Sequence, residues 1–353
     1  MDSYDFKRAL LKSLSQTWVS TVFTVKMFGR ILTGKVSLRN VSGPKVIEFN
    51  RKIESGEIRL IKKKCLCSSD QFSKVVSFDR YGLWYPVVIC KNCGLIQSNP
   101  QLLDEEYAAF YSSDLYRKLY EGDDYLVSAK DRYTDTNQIF DTLEPIMKER
   151  SFTSIIEFGC GGGWNLLPFQ NSNYEVVGYD YSTDLIKLGK TEYDLDLRQG
   201  SLNELKGLGK FDVLILNHVV EHFTDLENNM RELTRIVKPD GVIYIGIPNI
   251  EIINRGQFQN AHTFYFTQRT FCHYMQKFGL EVLNFGPDES IHMHGIFKVS
   301  EDRNGHSNIN LENEFNVMSK KLFMGVVKIK IINLLDSLNI LELIKRMSKG
   351  IFP

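Results

Sequence analysis

The fold is decided by the stretch Ser154-Ile155-Ile156-Glu157-Phe158-Gly159-Cys160-Gly161-Gly162-Gly163. Its first five residues form a short apolar run typical of a buried strand, and the glycines end that strand in a turn. A helix can begin within Trp164–Gln170, directly after the glycines. Glycines at a strand-to-helix turn let the backbone approach a ligand closely and adopt dihedral angles that other residues resist. We therefore predict a ligand-binding loop at the carboxyl end of a strand.

The sequence after Thr153 alternates short apolar runs with amphipathic segments. Strands are predicted at Ser154–Phe158, Glu175–Asp180, Asp196–Arg198, Asp212–Leu216, Gly241–Ile247, Glu281–Phe285 and Ile291–Val299. Helices fit between most of them, among them Asp184–Tyr193 and Leu226–Val237. This alternation predicts an α/β fold with a doubly wound, mostly parallel sheet. Only Gly286–Ser290 separates the last two strands, which predicts a hairpin and hence one antiparallel edge.

We expect the loop to bind a ligand that contains a ribose. Asp180 ends the second predicted strand, where an acid can hold the two hydroxyls of a ribose. The dinucleotide fingerprint G-x-G-x-x-G needs glycine or alanine at the place of Trp164, and tryptophan is too bulky for it. The observed Gly-x-Gly-x-Gly spacing therefore argues against a nicotinamide dinucleotide.

These motifs resemble the class I S-adenosylmethionine (SAM)-dependent methyltransferases. Glu157 before the glycines matches their first motif, and the resemblance continues through Phe211–His222, Leu233–Gly241 and Ile247–Asn249. The order and spacing of these segments cover Ser154 to about Val299. The resemblance implies a seven-stranded, Rossmann-like sheet and SAM as the cofactor.

The resemblance also implies a role for individual residues of the cofactor site. Glu157 would orient the loop and the methionine amino end, and Asp180 would hold the ribose. The adenine-side segment would include Ser201, where the family often has Asp. The remaining implied cofactor contacts are the backbones of Gly159, Gly161 and Gly163, the side chain of Leu202 beside the adenine, and Asn217 and His218 beside the sulfonium.

A short module at residues 62–100 carries two pairs of cysteines, Cys65-Leu66-Cys67 and Cys90-Lys91-Asn92-Cys93. Two close pairs of thiolates are what a tetrahedral structural Zn²⁺ site needs. The first pair is one residue shorter than C-x-x-C, because Lys64 takes the place of a cysteine. The alternative is four buried cysteines without metal. Cys160 and Cys272 are not expected to be ligands.

The cysteine module resembles the zinc-ribbon heads of bacterial sugar C-methyltransferases and of methyltransferases from surface-polysaccharide pathways. The similarity runs from Cys65 to Asn99-Pro100 and continues in the aromatic residues of a helical connector, which include Phe110, Tyr111 and Tyr116. It implies a sugar nucleotide or a glycan intermediate as the methyl acceptor. Two alternatives stay open: O-methylation of a lipid quinone or small aromatic, and a SAM-binding scaffold without catalysis.

Histidine is the natural general base for an acceptor that must lose a proton, because its pKa lies near neutrality. His262 is the first candidate, since its segment is similar to the H-x-x-Y-F-(S/T) element of the sugar-modifying relatives, although Ala261 replaces their Glu. Tyr265 is the second catalytic candidate. Glu221 and His222 are expected to cap the following helix, with a catalytic role as the alternative. His292 and His294 alternate on one face of a strand and can border the acceptor pocket.

The charges are distributed unevenly along a chain of 353 residues with a formal net charge of +0. Met1–Lys64 carries 14 Lys and Arg against 5 Asp and Glu, and Val317–Pro353 carries 7 against 2. The acidic middle argues against a nucleic-acid groove. The basic, amphipathic ends, among them Phe6–Leu14 and Trp18–Leu32, can lie on an anionic membrane surface or pack on protein.

We expect five segments and a cytoplasmic protein, with peripheral contact at the inner membrane face through the termini. The sequence shows no apolar run of membrane-spanning length and no convincing signal peptide. The expected segments are a basic helical one (1–61), the zinc-ribbon module (62–100), a helical connector (101–150), the SAM-binding domain (151–300) and a basic C-terminal helix (301–353). The sequence leaves the oligomeric state open.

Overall fold

The computed structural model describes residues 42–111, 113–116, 119, 137–253, 257–286, 291–300 and 305–337, with side chains up to residue 325. The chain divides into two compact units. The first unit comprises Met1–Tyr111, Ile250–His262 and Leu311–Pro353, and the second comprises Ser112–Asn249 and Thr263–Asn310. The predicted helices Phe6–Leu14 and Trp18–Leu32 lie outside the described residues. Within those residues, no helix has the length and apolar character to cross a membrane.

The described part of the second unit is built on a seven-stranded sheet. In chain order its strands are β6 (Ser154–Phe158), β7 (Glu175–Asp180), β8 (Leu197–Gln199), β9 (Phe211–Asn217), β10 (Val237–Pro248), β12 (Leu280–Phe285) and β13 (His292–Val299). Their spatial order is β12-β13-β10-β9-β6-β7-β8. Strand β13 is antiparallel to β10 and β12, whereas β10, β9, β6, β7 and β8 pair in parallel. The sheet is therefore mixed.

In the described part of the second unit, two helices precede β6, and the later helices alternate with strands as the pattern predicts. In chain order the helices are α3 (Asp114–Tyr116, a single turn), α4 (Asn137–Arg150), α5 (Leu167–Asn171), α6 (Thr183–Tyr193), α7 (Leu226–Thr234) and α8 (Gln268–Lys277), with a 3₁₀ turn at Val220–His222. Ser182 caps α6 by accepting a hydrogen bond from the Leu185 N–H, and Thr267 and Thr270 form a capping box on α8. These caps fix where the helices begin after the strands.

The central strands β6 and β9 are largely apolar and buried, as expected where both faces of a sheet are covered. All five residues of β6 are buried, and the core joins the sheet to α4, α5 and α6 through residues such as Leu143, Phe169 and Ile186. This arrangement leaves the carboxyl ends of the parallel strands, where the glycine loop lies, as the place for polar side chains.

Several predicted boundaries differ from the structure. The antiparallel strand is not at the edge: β13 lies one strand inside, and the edge strand β12 forms the predicted hairpin with it. The helix predicted to run to Val237 ends at Thr234, because Val237 pairs with Phe211 in the sheet. The helix predicted within Trp164–Gln170 begins only at Leu167, after turns.

The first unit is described from residue 42 onward. It contains α1 (Ser42–Ser55), β1 (Leu60–Ile61), β2 (Phe72–Phe78), β3 (Trp84–Cys90), β4 (Ile96–Ser98), β5 (Gln101–Leu102), α2 (Asp104–Tyr111) and α9 (Glu314–Ser337). Strands β2, β3 and β4 pair antiparallel in that order. The predicted helical connector (101–150) becomes helical only at Asp104, because Gln101 and Leu102 pair with Ile61 and Leu60. Helix α9 overlaps the predicted C-terminal helix, whose continuation lies outside the described residues.

Candidate active site

The glycine loop connects β6 to α5 through three glycines in the left-handed region. The φ angles of Gly159, Gly161 and Gly163 are +78°, +56° and +78°, which L-residues rarely adopt. A Cβ on Gly159 would lie 2.4 Å from Cγ2 of Val219. The loop is therefore a tight turn whose backbone only glycine permits, in contact with the segment that follows β9.

Glu157 lies at the base of this loop with its side chain completely buried. Its Oε1 accepts a 2.6 Å hydrogen bond from Nδ2 of Asn165, while its Oε2 is buried and has no hydrogen-bond partner. Burial raises the pKa of Glu157 to about 8, with a smaller contribution from Asp180 and partial compensation by Asn165. A buried carboxylate oxygen without a donor is costly, so the site suits a ligand that brings a donor or a positive charge.

Asp180, at the end of β7, is tied to the loop. Its Oδ2 accepts from the Gly161 N–H and its Oδ1 from the Ser182 N–H, both at 2.8 Å. Burial raises the pKa of Asp180 in spite of these hydrogen bonds. Each carboxylate oxygen keeps a second lone pair, which can accept from a ribose hydroxyl.

Tyr181 is a residue that our sequence reasoning missed. Its side chain follows Asp180 and is 67% exposed, which is unusual for a large aromatic residue beside a buried strand end. Its ring meets that of Phe158 edge-on, with centroids 6.3 Å apart. An exposed ring beside Asp180 can stack on a planar base.

The predicted adenine-side residues make local contacts. The hydroxyl and the N–H of Ser201 both donate to Oε2 of Glu204, at 2.5 and 2.6 Å. Leu202 lines a groove together with Leu205 and with Leu233 and Ile236 at the end of α7. In this structure the hydroxyl of Ser201 caps its own turn, and the adenine roles of Ser201 and Leu202 stay predictions.

The loop after β9 lies at the point where the chain reverses its direction of winding. From β6 the chain proceeds to β7 and β8 on one side and then crosses to β9 and β10 on the other. In open α/β sheets, ligands bind in the crevice at such a switch point. Asn217 is the last residue of β9 and pairs in register with Gly246, and His218 follows it with a left-handed φ of +57°.

His218 and Glu221 form a hydrogen-bonded pair in this crevice. Nδ1 of His218 lies 3.1 Å from Oε1 of Glu221, whose side chain is 1% exposed. The expectation that Glu221 caps the next helix is wrong, because Asp225 is the N-cap of α7 and accepts from the Asn228 N–H. The His-x-x-Glu spacing was the sequence signal for this pair, and we did not recognise it.

The two predicted strand histidines border the same end of the sheet. The ring of His292 meets that of His218 edge-on, with centroids 4.7 Å apart, and His294 stacks on Tyr244 at 5.3 Å. Burial lowers the pKa of both His292 and His294, and the neighbouring His218 lowers that of His292 further. Both rings are therefore expected to be neutral near pH 7.

The structure assigns the two predicted catalytic residues to different units. Tyr265 belongs to the second unit, in the short strand β11 (Phe264–Tyr265). Nearby, the Thr263 N–H donates to the carbonyl of Glu221 at 2.7 Å. His262 belongs to the first unit, is buried, and contacts the Gln259 amide through its ring nitrogens. The catalytic roles of both residues stay predictions.

The four cysteines of the first unit come together as predicted. The Sγ atoms of Cys65 and Cys93 are 3.5 Å apart, those of Cys67 and Cys90 are 3.6 Å apart, and all four lie within 4.8 Å of one another. Four sulfurs around Zn²⁺ at about 2.3 Å would be separated by about 3.8 Å. The donor set and its spacing therefore fit a tetrahedral metal ion. Cys160 and Cys272 lie outside this cluster.

Part of the chain is similar in sequence to known methyltransferases. Residues 130–284 match the model of a family described as a methyltransferase domain. The chain is 33% identical over 101 residues to a ubiquinone biosynthesis O-methyltransferase of Brucella anthropi, which covers 27% of this chain and 41% of that protein. It is 30% identical over 100 residues to the protein of the same name from Pelagibacter ubique, covering 27% and 42%.

The chain thus spans about two fifths of the length of these curated relatives. Among solved structures, a likeness is found to 1,6-didemethyltoxoflavin-N1-methyltransferase of Burkholderia thailandensis with bound 1,6-didemethyltoxoflavin and S-adenosylhomocysteine. The TM-score is 0.45 at 14% identity, over 60% of this chain and 97% of that one.

The family match, the strand order and the glycine loop agree with one another. Together they indicate a methyltransferase domain, which the family model matches over residues 130–284.

Proposed function

We propose that this protein binds SAM and transfers its methyl group to a sugar nucleotide or glycan intermediate of surface-polysaccharide or related biosynthesis. The observation that carries the cofactor part is Oε2 of Glu157, a completely buried carboxylate oxygen with no hydrogen-bond partner. The amino group of a methionine moiety is the donor that would satisfy it.

The residues that would hold the cofactor surround the carboxyl ends of β6, β7 and β9. Glu157 would receive the ammonium group, Asp180 the ribose hydroxyls, and the ring of Tyr181 the adenine. The glycine backbone lets the ligand approach closely, as its left-handed turns permit. When bound, SAM supplies an activated methyl group, and the protein's task is to position the acceptor in line and to exclude water.

The acceptor class is supported by the cysteine module. Its sequence resembles the heads of methyltransferases that modify sugars, and we propose that its four thiols hold a structural Zn²⁺. A closed set of four protein ligands leaves no open position, so the metal would stabilise the module and take no part in the transfer.

The second candidate function is O-methylation of a lipid quinone or a small aromatic. It is favoured by the names of the two Brucella and Pelagibacter relatives. The match covers only 27% of this chain and about two fifths of each relative, so it carries little weight for the acceptor.

The two acceptors can be separated by feeding cells methionine with a deuterated methyl group. Cells with and without the active chain are compared by mass spectrometry for labelled methyl groups. We expect a labelled nucleotide sugar or glycan that depends on the chain. A labelled quinone would support the second candidate instead. SAM binding without any chain-dependent labelled product would contradict both and support a scaffold.

A further inference from the structure

His218 and Glu221 form a hydrogen-bonded pair of titratable groups just after the end of β9. Glu221 is almost completely buried and accepts from Nδ1 of His218 at 3.1 Å, while 38% of the His218 side chain is exposed. A buried carboxylate that accepts from one ring nitrogen fixes the tautomer and leaves Nε2 with its lone pair. The geometry is that of an imidazole held ready to accept a proton.

The backbone holds His218 in an unusual conformation at this position. Its φ of +57° is rare for a residue other than glycine, and its N–H donates to the carbonyl of Gly246 at 2.8 Å. Residues kept in such conformations cluster at functional sites, because surrounding structure must offset the strain. The next residue, Val219, packs against Gly159. His218 is therefore adjacent in sequence to a residue that contacts the glycine loop.

We propose that His218, oriented by Glu221, is the general base that removes the proton from a hydroxyl group of the acceptor, in place of the sequence candidate His262. The inference rests on the proposed methyl transfer and deepens it: the methylated atom is an oxygen. His218 would be a catalytic residue and Glu221 a positioning residue.

The transfer step balances without any further reactant. The acceptor oxygen forms a bond to the methyl carbon while the bond from that carbon to sulfur breaks, and its electron pair passes to sulfur. The hydroxyl proton moves to Nε2 of His218, and the imidazolium is stabilised by the Glu221 carboxylate. A later exchange with solvent returns the proton.

The charged groups around His218 agree with this role. Burial alone would lower the pKa of His218, but the hydrogen bond and the charge of Glu221 outweigh it and raise the pKa above its usual 6.5. His292 faces the ring from β13 and has a lowered pKa, and His222 lies 4.0 Å from the same Glu221 oxygen. Glu221 is therefore the group that makes His218 more basic.

The first test is nuclear magnetic resonance of the histidine side-chain nitrogens in the full chain with S-adenosylhomocysteine added. The proposal expects His218 to be protonated on Nδ1 when neutral and to titrate above pH 6.5. Glu221→Gln should move this titration to lower pH. An Nε2–H tautomer, or a titration that Glu221→Gln does not move, would overturn the proposal without bearing on SAM binding.

The second test counts labelled methyl groups in extracts of cells given methionine with a deuterated methyl group. His218→Gln should lower the chain-dependent product about 100- to 10,000-fold. His306→Gln, which changes an exposed histidine, should leave it unchanged. Calorimetry should show that His218→Gln weakens SAM binding far less than it lowers the product. Product retained in His218→Gln would overturn the base. Absence of product in the wild type would overturn the proposed function. The nuclear magnetic resonance measurement would still test the pair of His218 and Glu221 independently.

Discussion

Glu157 is the residue on which the cofactor site depends most. The carboxyl group of Glu157 is completely buried, and only one of its oxygens accepts a hydrogen bond. Because burial raises its pKa to about 8, Glu157 is expected to be mostly protonated at neutral pH. An arriving ammonium group favours the ionised form. Cofactor binding should therefore be coupled to loss of a proton from this side chain.

This coupling predicts a pH dependence of SAM affinity. Affinity should rise between about pH 6 and 8 and then level off, because below the pKa of about 8 a proton must leave Glu157 on binding. Calorimetry in buffers of different ionisation enthalpy should detect the released proton. Methylthioadenosine, which lacks the amino-acid end, should bind without this dependence. Proton release that persists in Glu157→Gln would show that another group is responsible.

The same pKa predicts how stability without ligand varies with pH. The pKa of Glu157 is raised from 4.5 to about 8 in the folded protein, so its contribution to the free energy of unfolding is complete below about pH 4.5 and is lost as pH rises through 8. Glu157→Gln should flatten this decline in urea-unfolding curves measured between pH 6 and 9. Glu175→Gln, which changes an exposed glutamate, is the matched control for Glu157→Gln.

Gly159 offers a test of the loop's shape. Gly159→Ala combines a left-handed φ of +78° with a Cβ 2.4 Å from Val219, whereas Gly207→Ala has a φ of +90° and no atom within 4 Å of the new Cβ. Gly207→Ala should lower the free energy of unfolding by about 1 kcal/mol. Gly159→Ala should lower it by clearly more and should also abolish SAM binding. If both substitutions lowered the free energy of unfolding equally and Gly159→Ala still bound SAM, this would contradict the tight contact between the glycine loop and the segment after β9.

At the scale of elements, the cysteine module is the part whose stability we propose to depend on a bound metal ion. Its four thiols come from the segment before β2 and from the end of β3 and the turn after it, with the spacing that Zn²⁺ needs. The purified chain should contain one zinc ion per molecule by mass spectrometry of the metal.

Single substitutions separate a ligand from a buried thiol. Cys93→Ser should remove the zinc and lower the melting temperature, while Cys272→Ser, which changes a buried cysteine of α8, should keep the full metal content. Zinc retained in Cys93→Ser would show that Cys93 is not a ligand.

The strands were easier to predict from the sequence than the ends of the elements. β6 and β7 are predicted to the residue, because their apolar runs stop at turn residues. The helix before β10 is predicted three residues too long, because local periodicity cannot detect that Val237 pairs with Phe211 across the sheet. The hairpin of β12 and β13 follows from the short connection, but the insertion of β13 beside β10 depends on long-range pairing.

The part of the site that could be predicted lies on two consecutive strands and on the loop after the first of them. Glu157, the glycines and Asp180 come together because consecutive parallel strands bring their carboxyl ends to one edge. The pair of His218 and Glu221 was missed because their contact depends on the 3₁₀ turn and on the left-handed φ of His218. Tyr181 was missed because its exposure can be read only from the folded chain.

For the whole molecule, ligand binding should appear as added stability of the folded state. A ligand present at 100 times its dissociation constant stabilises by about 2.7 kcal/mol. S-adenosylhomocysteine should therefore raise the melting temperature of the wild type by a few degrees, and of Gly159→Ala much less. An equal shift in both would contradict the assignment of the loop as the binding site.

The account rests on SAM occupying the crevice beside Glu157, and isothermal titration of the full chain with SAM tests this most directly. We expect binding with one SAM per chain at pH 8, weakened at least tenfold in Glu157→Gln and unchanged in Glu175→Gln. Absence of binding by the wild type, or equal binding by Glu157→Gln, would contradict the account.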